Sequence, residues 1–203
     1  KNQLSRGEYI LRTEETQAGY LAGYILKITD VDPELVLSVY ARIDKHAGED
    51  GLGPFIIRSE LRPNPPGAPI NMVRGFYEQH VTLLGNGKYL VENFLTKKNG
   101  SYELNGRLIE ASDHSFAPRW FDGHFKTTPH AKGSFVVACH YMVPRSGLFK
   151  WKFNSTVVER LNMTADNLIK WVNRVAHNKG LETEYRENLR RRLLPEAAAP
   201  NAP

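Results

Sequence analysis

SGLFKWKFNSTVVERLNMTADNLIKWVNRVAHN, residues 146–178, is the longest helix-like pattern in the chain. Leu161, Ala165, Leu168, Ile169, Val172, Val175 and Ala176 recur at the spacing of one helical face. Glu159, Arg160, Asp166, Lys170, Asn173 and Arg174 fall mostly on the other. Nearly everything before this stretch reads as strands. The helix is therefore expected to form the second layer of the fold, with a curved sheet wrapped around it.

The strands can be read back from the helix. Phe135–Val143, FVVACHYMV, is a nearly continuous apolar strand that Pro144 closes. Residues 112–132 hold Gly, Pro and three His, with a strand expected around Trp120–Thr127. Met72–Leu84, Lys88–Thr96 and Tyr102–Ala111 are three strands in succession. Leu84-Gly85-Asn86-Gly87 and KKNGS supply the turns between them, so they form an antiparallel meander. Phe55–Arg62 is another strand, preceding the Pro-rich connection RPNPPGAP.

Asp32-Pro33-Glu34 carries an N-cap, a first-turn proline and a first-turn acid. Leu35, Val36, Val39, Tyr40 and Ile43 then form one face of a short helix ending near Lys45. Tyr20–Thr29 reads as a strand, with a shorter one at Glu8–Arg12. After the long helix, Leu181, Tyr185, Leu189 and Leu193 recur at spacings of four beside Arg186, Arg190, Arg191 and Arg192. One domain is expected over residues 1–180, and a basic helical or disordered tail over 181–203.

The 203 residues suit one domain with a sizeable core. Apolar residues are 41% and charged residues 24%, the balance of a soluble globular protein. No apolar run approaches a bilayer span of about 20 residues. The net charge of +5 permits an anionic surface, but no nucleic-acid motif accompanies it. A single cysteine, Cys139, excludes an intrachain disulfide and a Cys-based metal site. The chain begins at Lys1 rather than Met. If a signal peptide was removed the protein is exported, otherwise it is cytoplasmic.

The order of strand, helix, antiparallel strands and long C-terminal helix resembles the START-like, or Bet v 1-like (SRPBCC), helix-grip superfamily. VDPELVLSVYARID resembles the early helix and PFIIRSEL the strand after it. GSFVVACHYMVPRSGLFKWKFN resembles the last strand and its corner, and TADNLIKWVNRVA the helix body. The likeness covers about residues 20–178. It implies an α+β helix-grip fold with an internal cavity between the sheet and the C-terminal helix. Members use that cavity for lipids, sterols and other apolar ligands, or to cyclise polyketide chains.

Strand alternation selects the residues that would face it. Tyr77 and Gln79 belong to the inward set of one strand, Tyr89, Val91 and Asn93 to that of the next, Tyr102 and Leu104 to a third. In the last strand both faces are apolar. The ligand-binding set takes Phe135, Val137 and Tyr141, although alternation does not choose them over Val136, Ala138, His140 and Met142. Trp120 and Phe121 are candidate lid residues over the mouth, with plain core as the alternative, and Leu161, Leu168 and Val172 form the helical floor. The polar members would orient a ligand hydroxyl or carbonyl, or else satisfy one another.

No catalytic or metal residue is assigned. His114, His124 and His130 match no compact ligand spacing, and no GxSxG, P-loop or GxGxxG occurs. Adjacent strand residues Cys139 and His140 point to opposite faces and cannot act as a nucleophile–base pair. The expectation is binding or transport of an apolar molecule (a fatty acyl lipid or a sterol-like ligand) without a cofactor. The basic tail is expected either to pack weakly on the domain as a solvated helix or to make transient contact with an anionic membrane. The alternatives are an aromatase/cyclase-type enzyme using the same cavity, and an interaction module with a filled core.

Overall fold

The computed structural model describes Leu4 and residues 8–81, 85–113, 117–145 and 150–193. Eight strands form one antiparallel sheet: β1 (Tyr9–Glu15), β2 (Leu21–Thr29), β3 (Ile56–Arg62), β4 (Met72–Val81), β5 (Gly85–Lys98), β6 (Ser101–Ala111), β7 (Pro118–His130) and β8 (Gly133–Pro144). Their order is β1-β2-β8-β7-β6-β5-β4-β3. From β3 onward each strand pairs with the next, and β2 lies beside β8. The meander read from the sequence is thus the middle of a longer one.

Turn chemistry explains part of the register. Asn99 and Gly100 both have positive φ, at 51° and 73°, and Lys98 pairs with Ser101. This is the two-residue hairpin that Asn-Gly favours, because both positions need left-handed backbone. The other expected turn differs. Gly85, Asn86 and Gly87 pair with Val81, His80 and Gln79, so they belong to β5.

Three irregularities bend the sheet. The register shifts between Ile56 and Arg58, Leu90 and Val91, and Pro118 and Trp120. Each is a place where one strand gains a residue, which kinks it and increases its twist. Ile57 and Ile109 are the extra residues at two of them. That accounts for two large apolar side chains that are 49% and 41% exposed.

α1 (Pro33–Tyr40) leaves β2 with Asp32 as its N-cap, whose carboxylate accepts the Leu35 N–H at 3.1 Å. It stops at Tyr40, and Ile43–Lys45 form a separate 3₁₀ turn. α2 (Lys150–Ala176) lies across the concave face. Its N-terminal part is tied down by Asn154, which accepts from Leu21 N–H and donates to the Gly19 carbonyl, both at 3.2 Å. Leu161, Ala165, Leu168, Val172 and Val175 are buried in the same core as Leu35, Val36 and Val39 of α1. The molecule is an α+β helix-grip fold. No helix among the described residues is long and apolar enough to cross a membrane.

Beyond Asn178 the chain forms α3 (Lys179–Arg190), which packs on α1 and α2. Tyr185 and Leu189 are buried in the main core, with Leu181 and Leu193 packed against it. The arginines of this segment are largely paired. Arg186 meets Asp32 and Glu182, Arg190 meets Glu34, and Arg191 meets Glu187. Arg42 joins Glu184 at 2.7 Å and stacks on Tyr185.

Because α3 completes the core, Leu189→Ala should destabilise the protein by about 2–4 kcal/mol through the cavity it leaves. Urea unfolding of both forms measures this, and a change under 0.5 kcal/mol by rough count would show that α3 rests only loosely on the domain.

Candidate functional site

Between α2 and the concave face of β4–β8 lies a cavity of about 130 Å³. Val91 and Leu104 contribute from the sheet, Val157 and Leu161 from α2, and Ile43 and Leu52 from the segment after α1. Phe121 and Phe125 of β7 close one side. Most of the wall is apolar, and a few polar groups project through it.

Those polar groups are joined to one another. The Tyr40 hydroxyl and His140 Nε2 are 2.8 Å apart. His46 Nε2 lies 2.7 Å from the Tyr40 carbonyl, which can only accept, so Nε2 carries the proton. His46 Nδ1 then accepts from the Tyr77 hydroxyl at 3.1 Å. Tyr77 stacks on Tyr89 with ring centroids 5.4 Å apart. Gln79 Nε2 donates to the Tyr89 hydroxyl, and Gln79 Oε1 accepts from Arg160 at 3.2 Å.

Burial sets the protonation of these groups. Desolvation pushes His46 and His140 down to about 4, so both are neutral at pH 7. For His46 the hydrogen bond to the Tyr40 carbonyl opposes the shift in part. Desolvation likewise raises the phenols of Tyr40, Tyr77 and Tyr89 above their ordinary value. The cavity therefore contains hydrogen-bonding groups that carry no charge, with the exception of Arg160.

The residues chosen from the sequence divide into three groups. Tyr77, Gln79, Tyr89, Val91, Asn93, Leu104 and Leu161 line the cavity. Their polar members are engaged by the protein: Asn93, for instance, donates to the Val73 carbonyl at 3.3 Å. Leu168 and Val172 are buried further along α2, over a separate void of about 30 Å³. The remaining five lie elsewhere. Tyr102 donates to Glu34 at 3.3 Å, and Trp120 is 58% exposed while Phe121 points inward. Phe135, Val137 and Tyr141 occupy the outer face of β8. Its inward residues are Val136, Ala138, His140 and Met142, the set that alternation left open.

His140, which alternation left open, lines the cavity, and so do Tyr40, His46 and Arg160, to which the sequence reading gave no ligand role. Tyr40 ends the apolar face of α1, a signal that was present. His46 follows a 3₁₀ turn and has no pattern to mark it. Arg160 falls on the polar side by periodicity, yet it stands beside Val157, Leu161 and Thr164, which share the cavity wall.

Of the histidines suspected of metal binding, His114 lies outside the described residues. His124 meets Asn105 at 2.5 Å and His130 is exposed on β7. Among the described residues no three His, Cys, Asp or Glu side chains converge as a metal site. Arg74 faces away from the cavity, where it and Arg107 flank Glu92 at 2.7 and 2.9 Å.

Comparison with known proteins places the fold. No family model matches the chain, and no curated protein matches it. Among solved structures, a STAR-related lipid transfer protein from Xanthomonas axonopodis superposes with TM-score 0.66 at 15% identity, over 81% of this chain and 92% of that one. Human StAR-related lipid transfer protein 5 gives 0.62 at 11% identity, covering 83% of each chain. The Zhui aromatase/cyclase from Streptomyces sp. R1128 gives 0.59 at 13%, over 84% of this chain and 99% of that one. The fold is therefore START-like, of the Bet v 1-like helix-grip type.

Two histidines held neutral make a pH signature. Their folded values near 4 lie below the unfolded value of 6.5, so the unfolded chain binds more protons in between. Stability should fall as pH drops from 6.5 toward 4, by up to about 2.7 kcal/mol per pH unit from the pair. His140→Asn should remove about half of that slope, measured by urea unfolding across the range. An unchanged slope would mean that His140 is protonated in the folded protein.

Proposed function

We propose that this protein binds an apolar small molecule in the cavity between its sheet and α2, acting as a carrier or sensor. The observation that carries the reading is the cavity itself: an apolar pocket with a few convergent polar groups, in a fold whose core would otherwise close there. The Xanthomonas and human structures are described as lipid transfer proteins, which supports the same reading. Its size narrows the ligand. An apolar cavity of about 150 Å³ accommodates benzene, so this one encloses roughly six to eight non-hydrogen atoms. A two-chain phospholipid is several times larger, so a single short acyl chain or a small ring system fits better.

One observation favours a second reading. Tyr40 and His140 form a hydrogen-bonded pair of titratable groups in the cavity wall, the minimum for general acid–base work. With the likeness to the Zhui aromatase/cyclase, this supports cyclisation of an acyl chain as the alternative. The interaction-module reading requires a filled core and is not supported by a cavity of this size.

A membrane role for the C-terminal segment finds less support. Basic amphipathic helices bind lipid surfaces with their apolar face. In α3 that face is spent on the domain, and Arg186, Arg190 and Arg191 are ion-paired.

Native mass spectrometry of the freshly purified protein, followed by solvent extraction, should reveal a small apolar molecule in substoichiometric to full occupancy. Thr164→Trp, which places an indole in the cavity wall, should lower that occupancy at least tenfold by rough expectation while costing about 1–2 kcal/mol of stability. Leu168→Trp overpacks the core away from the cavity and should do the reverse. No bound molecule and no thermal shift with any apolar ligand would overturn the carrier reading.

A further inference from the structure

Arg160 is the only charged residue among the described residues that line the cavity. Its partners are all neutral. One terminal nitrogen donates to Gln79 Oε1 at 3.2 Å, the other donates to the His80 carbonyl, and the guanidinium carbon sits 4.8 Å from the Phe55 ring centroid. No carboxylate lies within ion-pair range of it among the described residues. Arg42, Arg74, Arg186 and Arg190 each have one. Those two hydrogen bonds leave most of its five N–H donors to a ligand.

A half-buried guanidinium whose hydrogen-bond partners are all neutral is incompletely compensated. Burial lowers the Arg160 pKa, opposed only in part by Tyr89 and the neighbouring Glu159, so the surroundings on balance disfavour its charge. Removing a cation from water is offset only when an anion or several acceptors meet it. Two neutral oxygens hold Arg160 in position, and neither neutralises it.

We infer that the ligand is an amphiphile with one carboxylate, seated on the Arg160 guanidinium, with its apolar body directed into the cavity toward Val91, Leu104 and Phe125. This rests on the cavity being a ligand site, and it adds the chemistry of the ligand's head. A planar guanidinium matches a planar carboxylate through two parallel hydrogen bonds. A phosphate monoester carries roughly −1.5 to −2 charge near neutral pH and would leave about half of it unmatched by a single arginine. The Tyr89–Gln79–Arg160 chain fixes the guanidinium in one orientation, so little side-chain freedom is lost when the head arrives.

The test uses three probes of one chain length: decanoic acid, 1-decanol and decyl phosphate. The acid has about a dozen non-hydrogen atoms, enough to fill the enclosed volume and reach its mouth. Each is titrated calorimetrically into the delipidated full-length protein at about pH 7.5, where the acid is ionised. Decanoic acid should bind at least tenfold more tightly than 1-decanol. Arg160→Gln should weaken the acid by about tenfold or more and leave 1-decanol within twofold, with Arg160→Lys falling between. Retained alcohol binding shows that the variant's cavity is intact.

Equal affinities for acid and alcohol in the unsubstituted protein would overturn the inference while leaving the cavity reading in place. So would tighter binding of decyl phosphate, or a loss of acid and alcohol alike in Arg160→Gln. Failure of all three probes to bind would overturn this inference and count against the apolar-ligand reading together with it.

Discussion

Where α2 crosses β2, the helix meets the strand at a glycine. A β-carbon on Gly23 would come within 2.5 Å of Leu161, so the helix and the strand are in direct contact there. A second such contact closes the other side. A β-carbon on Gly75 of β4 would approach Ile43 of the 3₁₀ turn to 2.7 Å. The helical layer thus rests on the sheet at two glycines, one under α2 and one under the turn that follows α1. The sheet between these supports is bent by two bulges, on β6 and β7, and cannot follow a straight helix. The space that remains over Tyr77, Tyr89 and Val91 is the cavity. It is a consequence of how the two layers meet.

Such a gap would be filled by water or by collapse unless its walls resisted both. The apolar side chains discourage water. The hydrogen-bonded chain from His140 through Tyr40 and His46 to Tyr77 resists collapse, because moving any member would leave a buried partner unsatisfied. Among the described residues no fully buried side-chain nitrogen or oxygen lacks a partner. The same surroundings explain why two neutral imidazoles are tolerated: His46 Nδ1 accepts from the Tyr77 hydroxyl, which requires the uncharged ring, and desolvation holds His140 neutral.

The fold was legible because its signals are periodic. The apolar stripe of α2, the alternation in β4 to β6 and the Asn-Gly hairpin are local patterns that the chain displays without tertiary context. The site was legible where alternation is one-sided, as in Tyr77, Gln79, Tyr89 and Asn93. It was hidden where both faces of a strand are apolar. β8 is covered on its inner side by α2 and carries Phe135, Val137 and Tyr141 on its outer side, so parity had nothing to distinguish them. Arg160 was hidden for another reason. Helical periodicity sorts residues by average polarity of a face, whereas a cavity admits a polar residue at the edge of an apolar stripe. The core role of α3 was obscured because its arginines suggested solvent, although Tyr185 and Leu189 at four-residue spacing suggested burial.

The two functional readings differ in what they ask of the histidines. His46 has both nitrogens committed, one to the Tyr40 carbonyl and one to the Tyr77 hydroxyl, so it serves as a strut and has no lone pair to offer a substrate. That leaves His140 as the candidate base, with Tyr40 beside it. An effective general base at neutral pH has a pKa near 7, and burial holds His140 at about 4. Catalysis would need a substrate that raises this by about three units, for which an anionic group near the imidazole is the direct means. Binding needs nothing of the kind. The groups that line the cavity are already in the protonation states that donate to and accept from a neutral ligand, and Arg160 already carries the charge that an acidic head requires. The physical state of the wall in the absence of substrate therefore favours holding a molecule over transforming it.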